Sequence, residues 1–219
     1  MRTQTIRKIV DMIMGILFIV MMGYHITGNK VHEILGIVTF VFFIIHNILN
    51  IKWYKTIFKG KYNFRRILTL VVNVLLLIAM LGMIISGIMI SNTFSFLNIP
   101  TTMFGRSLHM VSTSCGFILM SIHVGLHLNI ILLKLNKKMK DSTFEYIYYL
   151  IILMLAIYGL YTFINDGLWK DMLLLSKFKF FDYEQSPFIF YLGQVGILLF
   201  ISFLVYIPLD LKRKNNKSK

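Results

Sequence analysis

The sequence contains few of the residues that cross-link or divide a soluble chain. A single cysteine, Cys115, rules out an internal disulfide, and its place in an apolar stretch gives no indication of a redox compartment. There are only 3 prolines and no linker rich in serine and glycine. We therefore expect one domain over residues 1–219, ending in a short basic tail at about 211–219.

Charged residues are also scarce, at 15% of the chain, whereas 57% of the residues are hydrophobic. A soluble domain of 219 residues could not bury this much apolar surface, so the composition predicts an all-α protein that crosses a membrane several times. The net charge of +14 does not indicate nucleic-acid binding, because the sequence contains no soluble basic domain. The basic residues flank the apolar runs, where they would meet anionic lipid headgroups.

Six apolar runs are each close to the roughly 20 residues that a helix needs to cross a bilayer. The first run follows basic residues, as a signal peptide would, but it is long, carries Asp11 and lacks a small-x-small cleavage pattern. We therefore expect it to be a retained helix. The predicted spans are 7–27, 31–51, 67–91, 107–133, 145–164 and 189–209.

Basic residues alternate between the connections of these spans. Of the 23 lysines and arginines, 18 lie in the two termini and the connections on the same side, and five lie on the opposite side. Because lysine and arginine accumulate on the cytoplasmic side, we expect both termini in the cytoplasm. The long connection 165–188 would then lie outside, either flat on the membrane as an interfacial helix or as a docking site for a partner.

All six histidines lie in the spans or at their ends. The second span holds His32 and His46, and the fourth holds His109 and His123. Both pairs are 14 residues apart in sequence. Fourteen residues fall about 40° short of four full helical turns, so both rings of a pair leave the same side of their helix, roughly 21 Å apart.

The two spans run in the same direction because one span lies between them. Side by side, they would place His32 opposite His109 at an outer site, near the outside surface of the membrane, and His46 opposite His123 at an inner site, near the cytoplasmic surface. A porphyrin with iron at its centre needs two imidazoles on opposite faces, and two such sites across a bilayer would carry electrons. The pattern therefore predicts two haem b groups. A metal cluster is disfavoured, since its ligands must lie within a few ångströms of one another.

Other interpretations of single residues stay open. Any one intramembrane histidine can simply bond a neighbouring helix or line a cavity. His127 lies one turn beyond His123 and rivals it as the inner ligand; otherwise it would bond a haem propionate or act on a quinone. His25 would lie beside the outer haem or a quinol, or be an interfacial polar residue. Arg106 would pair with a propionate or extend to the headgroups.

Glycines close to these histidines can be explained in two ways. Gly36 lies one turn after His32, and Gly116 lies midway between His109 and His123. A residue without a side chain lets a macrocycle approach the backbone. It also lets two helices pack closely, which is the commoner reason for glycine in a span.

The paired H-x13-H on two parallel helices is similar to the four-helix core of quinol-oxidising cytochrome b. The length, the six spans and the run "MIISGIMISNTFSFLNIP…GRSLHMVSTSCGFILMSIHVGLHLN" resemble a smaller family, the flavinylation-associated cytochromes of bacteria. The segment "FFDYEQSPFIFYLGQVGILLFISF" resembles the closing part of that family. The resemblance covers about residues 5–210.

This resemblance implies a cytochrome in the bacterial plasma membrane, with two b-type haems in a four-helix bundle. It also implies electron exchange with menaquinone or a similar quinone, and delivery to an extracytosolic flavoprotein. The chain has no recognisable flavin-binding segment, so any flavin is expected on the partner. Two other classes remain: a six-helix transport or substrate-capture protein without haem, and a haem-handling subunit without an electron-transfer role.

Overall fold

The computed structural model describes residues 2–139, 143–176, 178–179 and 181–215, and the side-chain surroundings of all of these except residue 2, 129–139, 143–145 and 212–215. Within these ranges the chain forms eight α-helices, one short 3₁₀ helix and no β-strand. The α-helices are α1 (Arg2–Met22), α2 (Tyr24–Leu49), α3 (Ile51–Thr56), α4 (Phe64–Ile90), α5 (Met103–Met139), α6 (Thr143–Asn165), α7 (Leu168–Met172) and α8 (Pro187–Asn215).

Glycine sets the boundary between the first two helices. Gly23 separates α1 from α2, and Gly28 kinks α2 with φ of 72° and ψ of 167°. A residue with a side chain adopts such a backbone conformation only under strain. The predicted run 7–27 therefore extends beyond the end of α1, and α2 begins seven residues before the predicted start at 31. After the kink, α2 runs continuously past both His32 and His46.

Five helices are long and apolar enough to cross a membrane within the described residues. They are Tyr24–Leu49, Phe64–Ile90, Met103–Leu128, Tyr146–Asn165 and Pro187–Leu211. Each overlaps a predicted span, so the expectation of an all-helical, multi-pass membrane protein is confirmed. α1 is not among them, because its first half carries the charged residues Arg7, Lys8 and Asp11. The sixth span stays a prediction.

The long helices pack unevenly. α5 packs against α4 on one side and α8 on the other, and α6 packs against α8. The α6–α8 contact is backbone to backbone, because a side chain on Gly159 would collide with Gly196. α2 packs mainly against α1, and of its residues only Thr39 is buried.

The core lies where α1, α4, α5 and α8 meet. Phe117 of α5 is fully buried there and stacks on Phe18 of α1, with ring centroids 6.1 Å apart. Phe43 of α2 packs against this group from the side. The buried members of the core are Phe18, Met22, Met80, Phe117, Leu168, Phe190 and Ile197. This layer separates two ends of the molecule, which we call the His32 end and the His46 end.

Much of the charge pattern that predicted the orientation lies outside the described side chains. This applies to the basic segment 134–140, to Lys177, and to most of the tail at 211–219. The cytoplasmic placement of both termini therefore stays a prediction.

Candidate functional site

Two polar side chains of α4 hold the predicted ligands of α5. The Ser86 Oγ lies 3.1 Å from His109 Nδ1, and the Asn73 Oδ1 lies 2.8 Å from His123 Nδ1. The Ser86 hydroxyl donates to the Gly82 carbonyl oxygen at 2.5 Å, so its oxygen accepts from the ring. The Asn73 Oδ1 can only accept. In both histidines Nδ1 therefore carries the proton, and Nε2 keeps its lone pair.

His46 on α2 is held in the same way by a residue of α1. Its Nδ1 lies 2.6 Å from the Asp11 Oδ1, so the ring donates to the carboxylate and Nε2 again keeps its lone pair. Both side chains lie close enough to His123 to interact with it electrostatically. The structure thus gathers His46, Asp11 and His123 at one end.

His32 and His109 lie at the other end of the same helices. Their ring centroids are 6.2 Å apart and their planes are inclined at 74°. Two imidazoles that bind one metal ion from opposite sides through Nε2, at about 2.0–2.1 Å each, have centroids roughly 6 Å apart. The spacing of this pair therefore fits a single ion between the rings. His32 differs from the other three because its buried Nδ1 has no hydrogen-bond partner.

The two glycines beside the histidines have different surroundings. A Cβ built on Gly36 would meet nothing within 4 Å, so this part of α2 borders open space next to His32. A Cβ on Gly116 would lie 2.9 Å from the Met83 Cε and 3.4 Å from the Phe18 Cζ. Gly116 therefore serves helix packing, whereas Gly36 does not pack against another part of the described chain.

A carboxylate that sequence reasoning missed fastens the His32 end of α2. Glu33 accepts hydrogen bonds from the Ser91 hydroxyl at 2.9 Å and from the backbone N–H groups of Asn92 and Thr93, both at 3.0 Å. The Thr93 hydroxyl is a further donor. These groups follow the end of α4, so Glu33 ties α2 to α4 directly beside His32. The sequence feature that could have identified Glu33 is its position as a lone acidic residue in an apolar predicted span.

The remaining predicted site residues are more scattered. The His127 ring lies 4.9 Å from that of His123, with Arg65 near enough to interact with it. Arg106 is exposed in the first turns of α5. His25 lies before the Gly28 kink, and both of its ring nitrogens are buried without a hydrogen-bond partner.

The donor set suits a planar cofactor better than a bare ion. Among the described residues, no group of three or more histidine, cysteine, aspartate or glutamate side chains could hold a metal ion together. A pair of imidazoles supplies two ligands to one iron, and the tetrapyrrole of a haem supplies the other four. The spacing of His32 and His109 therefore fits one bis-histidine haem, and His46 and His123 are the residues that would hold a second.

Comparisons with protein-family models, with curated proteins and with solved structures find no match to the chain. The resemblance to the flavinylation-associated cytochromes therefore stays a prediction, and the geometry of the histidines carries the functional argument.

Proposed function

We propose that this chain is a membrane cytochrome that transfers electrons through two b-type haems. In this proposal six helices cross the plasma membrane, both termini are cytoplasmic, and a four-helix bundle holds the haems. His32 and His109 bind the outer haem, and His46 and His123 bind the inner one.

The observation that carries the proposal is the hydrogen bonding of the Nδ1 atoms. Three of the four histidines donate from Nδ1 to a side chain of another helix: Asp11, Asn73 or Ser86. Histidines that bind a metal commonly bond their second nitrogen to a carboxylate, a carbonyl or another polar group, which fixes the tautomer and the ring orientation. A histidine with a purely structural role in the membrane would need one hydrogen bond, through either ring nitrogen. Such a role does not explain why three rings use the same nitrogen.

The chain's residues position the cofactors and exclude water. A b-type haem, when bound, supplies an iron that accepts and donates single electrons. Asp11, Asn73 and Ser86 orient the ligating rings, and the stacked Phe18 and Phe117 fill the space between the two ends with apolar side chains. Histidines of one helix lie about 21 Å apart along its axis, so two haems held by them would be close enough for electron tunnelling.

Electrons in this proposal are exchanged between a membrane quinol and a redox partner outside the membrane, plausible candidates being menaquinol and an extracytosolic flavoprotein. The resemblance to the flavinylation-associated cytochromes supports this choice of partners. The predicted placement of 18 of the 23 basic residues on one side supports the orientation.

Absorption spectroscopy of the protein, purified after expression with ample haem, tests the proposal. We expect Soret and α bands that sharpen on reduction with dithionite, and two haems per chain. His32→Ala and His109→Ala should each remove one haem, and His46→Ala should remove the other. A colourless protein would contradict the proposal and favour a transport or capture protein. Haem that menaquinol cannot reduce would favour a haem-handling subunit.

His123 and His127 are alternative ligands of the inner haem, and replacing each in turn distinguishes them. Because Asn73 orients His123, we expect His123→Ala to remove the inner haem and His127→Ala to retain it. The haem content of the two variants, measured side by side, checks the assignment. Loss of the inner haem from His127→Ala alone would transfer the ligand role to His127.

A further inference from the structure

A cavity of about 340 Å³ lies at the His32 end, between the start of α2, the connection after α6, and α8. Its apolar part is formed by Met22, Leu168 and Ile197, which belong to the buried core. The polar part includes His25, Asp166 and Gln194. A volume of this size is at the small end of the range for sites that bind organic ligands.

Three unpartnered polar atoms are concentrated in this cavity. They are both ring nitrogens of His25 and the Oε1 of Gln194, and Gln194 is only 4% exposed. Among the described side chains, just two other buried nitrogen or oxygen atoms have no hydrogen-bond partner. Buried polar groups in folded proteins nearly always find a partner, so the concentration of such atoms here indicates a ligand that supplies it.

The walls define the shape of that ligand. The His25 ring stacks on Phe181 with centroids 4.6 Å apart, and it meets the edge of Phe190 at 4.8 Å and of Tyr183 at 5.9 Å. Aromatic walls of this kind favour a flat ring. The Gln194 Oε1 can only accept, and a neutral imidazole donates from one nitrogen and accepts at the other. The ligand must therefore carry a hydrogen-bond donor for Gln194 and a group that pairs with His25, and hydroxyl groups meet both demands.

The charges on the wall disfavour an anionic ligand. Lys179, which lines the cavity, is paired with Asp171 at 2.7 Å. Partial burial raises the pKa of the Asp166 carboxyl above its usual range, although Lys179 opposes the shift. An anion would meet a lysine that is already paired, together with the carboxyl groups of Asp166 and Asp182, which also line the cavity.

We infer that this cavity binds the head group of a quinol, a flat ring with two hydroxyl groups. One hydroxyl donates to Gln194 and the other bonds His25, while the ring lies among Phe181 and Phe190. Aromatic contacts link the cavity to the haem ligand His32: Phe181 lies 6.3 Å from Tyr24, and Tyr24 lies 5.2 Å from His32. The role of the site in electron exchange rests on the proposed function, but the binding itself does not.

Calorimetric titration of the protein in lipid nanodiscs tests the inference, with empty nanodiscs subtracted. The probes are 2-methylnaphthalene-1,4-diol, kept anaerobic, and 2-methylnaphthalene, which has the same ring system without hydroxyls. We expect the diol to bind at least about tenfold more tightly, because only the diol satisfies Gln194 and His25. Equal binding of the two probes would overturn the inference, and this comparison needs no variant.

Matched variants locate the binding. Gln194→Leu and His25→Phe should each weaken diol binding about tenfold, since each keeps the bulk of the side chain and removes its polar atoms. Gln4→Leu makes the same chemical change on an exposed residue of α1 and should bind like the wild type. Unchanged diol binding in both cavity variants would overturn the inference.

The haem bands of the same samples separate this inference from the proposed function. A protein that binds the diol but contains no haem would contradict the proposed function and support the site. A haem-loaded protein that does not distinguish the two probes would contradict the site alone.

Discussion

The neighbours of three ring nitrogens determine what the histidines can do. Asp11, Asn73 and Ser86 accept hydrogen bonds from Nδ1, so His46, His123 and His109 each keep a basic Nε2. Without such acceptors the proton could reside on either nitrogen, and a ring with the proton on Nε2 cannot bind a metal there. The acceptors are therefore positioning residues for the proposed haem ligands.

Two of these acceptors lie on α4 and act at opposite ends, which provides a reciprocal test. We expect Asn73→Leu to weaken haem binding at the inner site roughly 10- to 100-fold and to leave the outer site unchanged. Ser86→Ala should weaken the outer site instead. Haem occupancy during titration of the haem-depleted protein, with the two sites resolved by their reduction potentials, checks both. A loss at the same site in both variants would contradict the reciprocal pattern.

The acceptors could not have been found from sequence alone. The spacing of 14 residues identifies His32, His46, His109 and His123 because it repeats within single helices, where geometry follows from residue number. Asn73 and Ser86 meet their histidines only because α4 packs against α5 in one register, and that register depends on contacts such as Met83 with Gly116. Sequence reasoning cannot predict contacts of this kind.

At the scale of the element, α2 is held chiefly at its two ends. Asp11 bonds His46 at one end, and Glu33 accepts from Ser91, Asn92 and Thr93 at the other. Between them α2 relies on its packing against α1, and only Thr39 is buried. Polar contacts therefore decide how far α2 stands from α5.

Removal of the Glu33 charge tests this arrangement. Hydrogen bonds to a charged group contribute about 1.5–3 kcal/mol each, so we expect Glu33→Gln to destabilise the His32 end of α2 by about 2 kcal/mol. Amide hydrogen exchange at residues 29–36 should quicken roughly tenfold or more, and the outer haem should be lost more readily. Glu184→Gln removes the same charge from an exposed residue of the connection before α8 and should change neither. Equal exchange in both variants would contradict the role of Glu33.

The long helices were largely predictable, and their ends were not. Hydropathy identifies spans because a bilayer demands about 20 apolar residues whatever their neighbours. The kink at Gly28 and the early start of α2 depend on a positive φ that many glycines do not adopt. The cavity beside Gln194 depends on how the connection 165–188 folds back, for which the sequence left two interpretations.

At the scale of the whole molecule, α1 is the element on which the topology depends. Its first half carries Arg7, Lys8 and Asp11, so its composition alone does not identify it as a span. Its second half carries Phe18 and Met22 into the buried core. A helix that contributes to the core at this depth and bonds His46 through Asp11 is suited to cross the membrane beside α2.

Reporter fusions test that placement. With six spans, a green fluorescent protein fused to either terminus should fluoresce, because both ends lie in the cytoplasm where it folds. Alkaline phosphatase inserted within 165–188 should be active, since the proposed topology puts that connection outside. A dark N-terminal fusion together with a bright C-terminal fusion would mean that the chain crosses an odd number of times and that α1 does not span.

The uneven packing of the bundle has a consequence for how the protein is assembled. α4, α5, α6 and α8 form contacts that need no cofactor, including the backbone contact of Gly159 with Gly196. α2 closes one side and borders open space at Gly36. Biogenesis can therefore proceed in two stages. In the first stage the helices insert and pack without a cofactor. In the second stage the proposed haem enters laterally from the lipid, past α2.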